Sequence, residues 1–363
     1  MRELPDFPWD ALAALRERAA GHPDGIVDLS VGTPVDPTPE LVQRALAAAA
    51  DAPGYPSTAG TSALREAAAG WLARRHGISG VDPAGVLPTI GSKELVAWLP
   101  TLLGLGQRDV VVYPELAYPT YDVGARLAGA SGVASDALTA VGPARVGLVW
   151  VNSPANPHGR VLPREHLAKV VAWARERDTV VASDECYLEF GWDARPVSVL
   201  DPDVNGGTLD GVLAVHSLSK RSNLAGYRAG FVAGDVRLVR RLLEVRRHAG
   251  MMVPAPVQAA MVAALGDDTH VDEQRARYAA RRDILREALA AAGFRVDHSE
   301  AGLYLWVTRD GEPCWDTVAW LADRGILVAP GEFYGRAGGR HVRVALTATD
   351  ERVAAAATRL TSP

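Results

Sequence analysis

HSLSKRSNLAGYRAGF, residues 216–231, closes one apolar run and opens the next. Upstream lies GVLAVHS (211–217) and downstream AGFVAG (229–234), both nearly continuous in apolar residues. Short runs without polar alternation read as strands covered on both faces. Four more of the same kind precede them: GVLPTI (85–90), DVVVYP (109–114), VGLVWV (146–151) and TVVASD (179–184). Helical patterns such as ELVAWLPTLLG and PREHLAKVVAWARERD lie between them. This alternation predicts an open α/β sheet, mostly parallel. After residue 250 the pattern changes to an amphipathic helix over 271–292, then GLYLWV, GILVAP, HVRVAL and a closing helix DERVAAAATRL. These read as a smaller α+β domain. The expected division is a large domain over 36–275, with 1–35 and 276–363 forming the small domain and its N-terminal segment.

The same stretch carries a chemical question. Of the 38 basic residues only Lys93, Lys169 and Lys220 are lysine. Lys220 sits between two strand patterns, framed by Ser217 and Ser219, with Arg228 eight positions on. A lone lysine at a strand end ordinarily snorkels to solvent. Its neighbours here point elsewhere, because an amine in a cleft can form a Schiff base, which arginine cannot. Two serine hydroxyls and a guanidinium close by are donors for a phosphate. A Schiff-base lysine beside a phosphate site suggests pyridoxal phosphate.

That cofactor makes further demands. Its pyridine nitrogen needs a carboxylate, and ASDECY puts Asp184 at the carboxyl end of a strand, where open α/β sheets bind ligands. Its phenolic oxygen needs donors; Asn156 in NSPANPHG and Tyr187, three residues past Asp184, are candidates. Tyr118 in PELAYPTY offers an aromatic face. Gly91, Ser92 and Lys93 in TIGSKELVAWL fall between a strand and a helix start, a ready anion site. Taken singly, each has a plainer use: a turn cap for Asp184, a turn residue for Asn156, core packing for Tyr118, N-capping for Ser92.

Composition bounds the alternatives. The 363 residues carry a net charge of −5 with no block of like charge, which argues against nucleic acid or an anionic membrane as the main partner. No run of about 18 apolar residues is present, and the N-terminal stretch lacks the apolar region of a signal peptide. Two cysteines, Cys186 and Cys314, suit a reducing compartment. A cytoplasmic enzyme without a metal site is the expectation.

As a set and in this order, S-x-S-K-x-x-x-x-x-x-x-R, the preceding Asp-x-x-Tyr and N-P-x-G resemble the class I/II aminotransferases, fold-type I pyridoxal-phosphate enzymes, over nearly the whole chain. The resemblance implies that Lys220 carries the cofactor and Asp184 pairs with its pyridinium. It implies that Asn156 and Tyr187 bond the phenolic oxygen and that Tyr118 stacks on the ring. Gly91, Ser92, Lys93 (through backbone N–H), Ser217, Ser219 and Arg228 would hold the phosphate. Tyr55, in GYPSTAGTSALREA, matches the tyrosine that reaches the neighbouring subunit's phosphate, which implies a homodimer with shared sites. Arg343 in HVRVAL and Gly32 in LSVGTP match the positions that receive the substrate carboxylate, with Asn156 beside them. The loop departs from the commoner N-P-T-G by having His158, read as a solvent-facing residue.

Within the class, DLSVGTPVDPTP, GSKELV, SLSKRSNLAGYRAGF, GLYLW and HVRVALTATDER look most like the succinyldiaminopimelate aminotransferases of actinobacteria. That likeness implies N-succinyl-2-amino-6-oxopimelate as acceptor and glutamate as donor, in lysine and diaminopimelate synthesis. Aminotransferases for aspartate, alanine or aromatic substrates, and C–S β-lyases, share the same cofactor motifs. An acidic substrate arm needs cationic partners, and Lys93, Arg221, Arg246, Arg247, Arg336 and Arg340 are the candidates. A DNA-binding regulator on this fold is not expected, since about 35 residues precede the large-domain pattern and the chain is not basic.

Overall fold

The computed structural model describes residues 4–142 and 144–362. Residues 1–3 of the expected small-domain segment lie outside them. Seven strands form the central sheet: β1 (Val86–Ile90), β2 (Val110–Tyr113), β3 (Ser131–Ala134), β4 (Val146–Asn152), β5 (Val180–Asp184), β6 (Val212–Ser217) and β7 (Ala229–Gly234). Their order is β1-β7-β6-β5-β4-β2-β3, and every neighbouring pair is parallel except those made by β7. The six strands expected from sequence are all present. The seventh, β3, lies at an edge and is largely exposed, so it lacks the apolar signature of the others.

Alternation along each strand feeds two cores. Val149, Val181, Ala214 and Phe231 pack on one face, with Leu64, Leu72 and Met261. Leu148, Trp150, Ala182, Leu213, Val215 and Val232 pack on the other, with Leu95, Leu99 and Tyr121. Burial on both faces explains the near-continuous apolar runs.

A second sheet, antiparallel, comprises β8 (Arg295–Asp297), β9 (Tyr304–Thr308), β10 (Ala329–Pro330) and β11 (Val342–Ala345), in the order β10-β11-β9-β8. The long helix Thr269–Ala291 leads into it. The N-terminal segment joins the same core: Val27 and Asp28 pair in parallel with Ile326 and Leu327, and Leu12 and Leu29 are buried beside Leu303 and Val344. No described helix is long and apolar enough to cross a membrane.

Candidate active site

The carboxyl ends of β4, β5 and β6 carry Asn152, Asp184 and Ser217, and all three line one cavity of about 880 Å³. The helix Ser92–Leu102 starts at its wall. Gly91 precedes that helix at φ 73°, a left-handed turn that glycine takes at no steric cost. A side chain there would also collide with the Arg228 guanidinium, 2.3 Å from where its Cβ would stand. Arg228 itself has φ 54°, a conformation that a non-glycine residue holds only where its surroundings demand it.

Lys220 lies in the one-turn helix Leu218–Arg221, whose first turn Ser217 caps by accepting from Ser219 N–H at 3.1 Å. Its ammonium donates to the Gly32 carbonyl and meets no carboxylate among the described residues. Burial, helped by Arg343 and Arg228, pulls its pKa down from the usual lysine range. Burial pushes the Asp184 carboxyl up, against the pull of hydrogen bonds from Cys186 N–H at 3.2 Å and Tyr121 O–H at 3.0 Å.

Asn152 braces the floor: its Nδ2 donates to the Asp184 carbonyl at 2.8 Å and its Oδ1 accepts from Asn156 N–H at 2.8 Å. The Asn156 side-chain oxygen accepts from Arg343 Nη1 at 2.9 Å, which leaves the Asn156 amide N–H groups free to donate. Arg343 Nη2 donates to the Ser30 carbonyl at 2.7 Å, and its guanidinium lies 3.9 Å from the Tyr304 ring centroid. Its Nε is buried without a partner, and no described carboxylate faces it. A buried guanidinium left uncompensated is costly, so Arg343 could hold an anion from outside the chain. Gly32 lies close beneath Tyr304, whose hydroxyl would be 2.2 Å from a Cβ there. The Tyr304 hydroxyl bonds that of Tyr187 at 2.9 Å.

Of the residues singled out from sequence, Gly32, Ser92, Lys93, Tyr118, Asn156, Asp184, Tyr187, Ser217, Ser219, Lys220 and Arg228 line this cavity with Arg343, and Gly91 lies directly under Arg228. Tyr55 does not: it is 98% exposed and is not on the cavity wall. Arg221 and Arg246 are buried in ion pairs with Glu189 and Glu94, and neither they nor Arg247, Arg336 and Arg340 are on the cavity wall. Lys93 alone of the arm-reading candidates reaches it. His158 is half-buried, not solvent-facing; its ring packs 5.5 Å from that of His298, and burial lowers its pKa to about 3. Sequence reading missed Tyr121, Asn152, Cys186 and Tyr304, and the wall formed by Phe7, Pro8 and Trp9. Asn152 and Tyr121 stood within motifs already quoted, four and three residues from Asn156 and Tyr118.

The donor set fits pyridoxal phosphate: an amine with no carboxylate partner, a buried carboxylate, a guanidinium with hydroxyls and a helix start, and a second guanidinium with no carboxylate partner. Comparison with known proteins agrees. Residues 24–360 match the family described as aminotransferase class I and II. The chain is 68% identical to a probable aminotransferase of Mycobacterium tuberculosis, over 99% of this chain and 85% of that one. It is 64% identical to the 4-dedimethylamino-4-oxo-anhydrotetracycline transaminase of Streptomyces rimosus, over 99% of this chain and all of that one, 100%. Its fold superposes on a probable N-succinyldiaminopimelate aminotransferase of Thermus thermophilus with a TM-score of 0.88 at 29% identity, covering 98% and 99% of the two chains. The chain therefore belongs to the class I and II aminotransferases of fold-type I, enzymes that exchange amino groups between amino acids and 2-oxo acids with pyridoxal phosphate.

Proposed function

We propose that this aminotransferase takes its amino group from glutamate and gives it to N-succinyl-2-amino-6-oxopimelate, in lysine and diaminopimelate synthesis. The observation that carries the reading is a pair of buried basic groups, Lys220 and Arg343, that line one cavity with Asp184 and form no ion pair within the described residues. Lys93 at the same wall supports the choice of an acceptor with an acidic arm. So do the sequence likeness to actinobacterial enzymes of that specificity and the name of the Thermus relative.

Pyridoxal phosphate, when bound, supplies a carbonyl for the substrate amine and a ring that draws electrons from the substrate Cα. Asp184 would hold the proton on the ring nitrogen, with Tyr121 fixing the carboxylate. Ser92, Ser217, Ser219 and Arg228 would hold the phosphate. Tyr118 would stack on the ring, and Asn156 and Tyr187 would donate to its phenolic oxygen. Arg343 binds the α-carboxylate and so orients the Cα–H bond. Lys220, its pKa lowered by burial, is the base that takes the Cα proton. We take 36–275 as the unit that holds the cofactor, and 1–35 with 276–363 as the unit that brings Arg343. Tyr55, exposed on its own subunit, serves the site of a second copy in a homodimer.

A second reading has a specific support. The Streptomyces relative is named for a polycyclic ketone, and the cavity mouth here is lined by Phe7, Pro8, Trp9, Val31 and Val123. Half-reactions separate the two. Glutamate should discharge the visible absorbance of the purified holoenzyme, and N-succinyl-2-amino-6-oxopimelate should restore it faster than oxaloacetate, pyruvate or a tetracyclic ketone. Faster recovery with the tetracyclic ketone selects the second reading. Recovery only with the small keto acids overturns both.

A further inference from the structure

The three residues after Lys220 are polar, none is fully exposed, and each is tied to the stretch 264–274, which runs from the end of the helix Ala255–Gly266 into the long helix. Arg221 donates through Nη1 to the Ala264 carbonyl at 3.0 Å and to Ser222 Oγ at 3.1 Å. Ser222 Oγ lies 2.8 Å from His270 Nε2, and His270 Nδ1 lies 2.6 Å from Asp267 Oδ2. Asn223 Nδ2 donates to Gln274 Oε1 at 3.0 Å.

The direction of this chain follows from its ends. A guanidinium only donates and an ionised carboxylate only accepts. Ser222 Oγ therefore receives from Arg221 and sends its own proton to His270 Nε2. An accepting Nε2 leaves the ring proton on Nδ1, where Asp267 takes it. One tautomer satisfies every member. The order Ser–His–Asp is that of a hydrolytic triad, but Ser222 is wholly buried and no substrate reaches it. Its work has to be internal.

Lys220 stands on a single helical turn, and an isolated turn of four residues does not hold itself. Ser222 closes that turn, its N–H donating to the Leu218 carbonyl at 3.1 Å, and also anchors it through His270. On its other flank, the long helix holds Asp36 and Asp350 through Arg281, and so the frame that carries Arg343. We propose that Ser222, His270 and Asp267 are positioning residues for Lys220, a hydrogen-bond relay running from the buried Ser222 to the half-buried Asp267 that keeps its amine in register with a substrate held by Arg343. The proposal rests on Lys220 being the acting amine.

The test compares holoenzymes carrying Ser222→Ala, Asp267→Ala and Lys220→Ala. Alanine at 267 removes the oxygen that accepts from both the backbone N–H and Nδ1 of His270, which frees the ring proton to move to Nε2 and leaves the Ser222 proton without an acceptor. Both relay variants are expected to lower kcat about tenfold, as a sub-ångström misplacement of a reacting group does, with KM for glutamate within about twofold and the visible circular dichroism of the cofactor reduced. A lowered Tm with kcat and visible dichroism unchanged would overturn the proposal, marking the relay as structural only. If Ser222→Ala does not fold, Asp267→Ala decides between the same two outcomes. Lys220→Ala should lose the visible band. A band retained there sinks the reading of Lys220 and this proposal together, whereas a lost band beside wild-type relay variants sinks this proposal alone.

Discussion

Arg343 is buried, forked between the Asn156 amide oxygen and the Ser30 carbonyl, and faces no described carboxylate. A lysine at this position keeps the charge but not the planar fork that matches a carboxylate in two places. Arg343→Lys should lower kcat/KM for glutamate about a hundredfold, ~3 kcal/mol of lost binding in the transition state; steady-state kinetics at saturating cofactor read it. At this scale much of the site was legible. Lysine is scarce in this chain, which made Lys220 conspicuous, and Asp184, Asn156 and Arg228 stood in motifs with fixed spacing. Tyr121 was not legible, because its hydroxyl reaches Asp184 only after β5 and the helix Thr120–Ala128 have packed, 63 positions apart in sequence. His158 was misread for a related reason: what covers it, His298, comes from the far end of the chain.

Strands place neighbours on opposite faces, and β5 uses this at its end. Asp184 faces the cavity, while the next residue, Glu185, turns under the sheet toward His216 of β6, with 3.8 Å between their nearest polar atoms. Burial lifts the Glu185 carboxyl to about 7 from 4.5 and lowers His216 to about 3 from 6.5. The folded chain thus binds the Glu185 proton more tightly than the unfolded chain does. Stability from this group is present below pH 4.5 and drains away as the pH rises to about 7. His216 works oppositely, costing stability as the pH falls below 6.5. Glu185→Gln keeps an acceptor for the Val199 N–H, now at 2.8 Å. It should raise Tm relative to wild type at pH 8 and leave it nearly unchanged at pH 4.5, by thermal melts in parallel buffers. The elements themselves were readable where both faces are buried. The short strand β8, with polar Arg295 and Asp297 at its ends, and the exposed β3 offered no such pattern.

For the whole molecule, the sequence order separated a mostly parallel α/β sheet from a later, smaller α+β unit, since the apolar strand runs alternate with helical patterns only before residue 250 or so and the long amphipathic helix divides the two. What it did not contain was the register between the N-terminal segment and the later chain, with Val27 and Asp28 beside Ile326 and Leu327, nearly 300 positions away. Nor does one subunit give Tyr55 a partner. With Tyr55 serving a second copy, chains carrying Tyr55→Ala and chains carrying Lys220→Ala should complement each other. Co-expressed, they form mixed dimers with one intact site, and activity should exceed the sum of the two parents. Activity equal to that sum would place Tyr55 outside any shared site.

The distribution of lysine has a practical corollary. Lys220 is enclosed, Lys93 stands at the cavity wall, and Lys169 is exposed on the helix Arg164–Arg175, which does not reach the cavity. A surface that couples to side-chain amines therefore has two exposed handles on each chain. Tethering through Lys169 leaves the mouth open to solution, and tethering through Lys93 obstructs it. Arginine at position 93 would leave Lys169 as the exposed side-chain handle, and enzyme fixed to a support would then be held in one orientation.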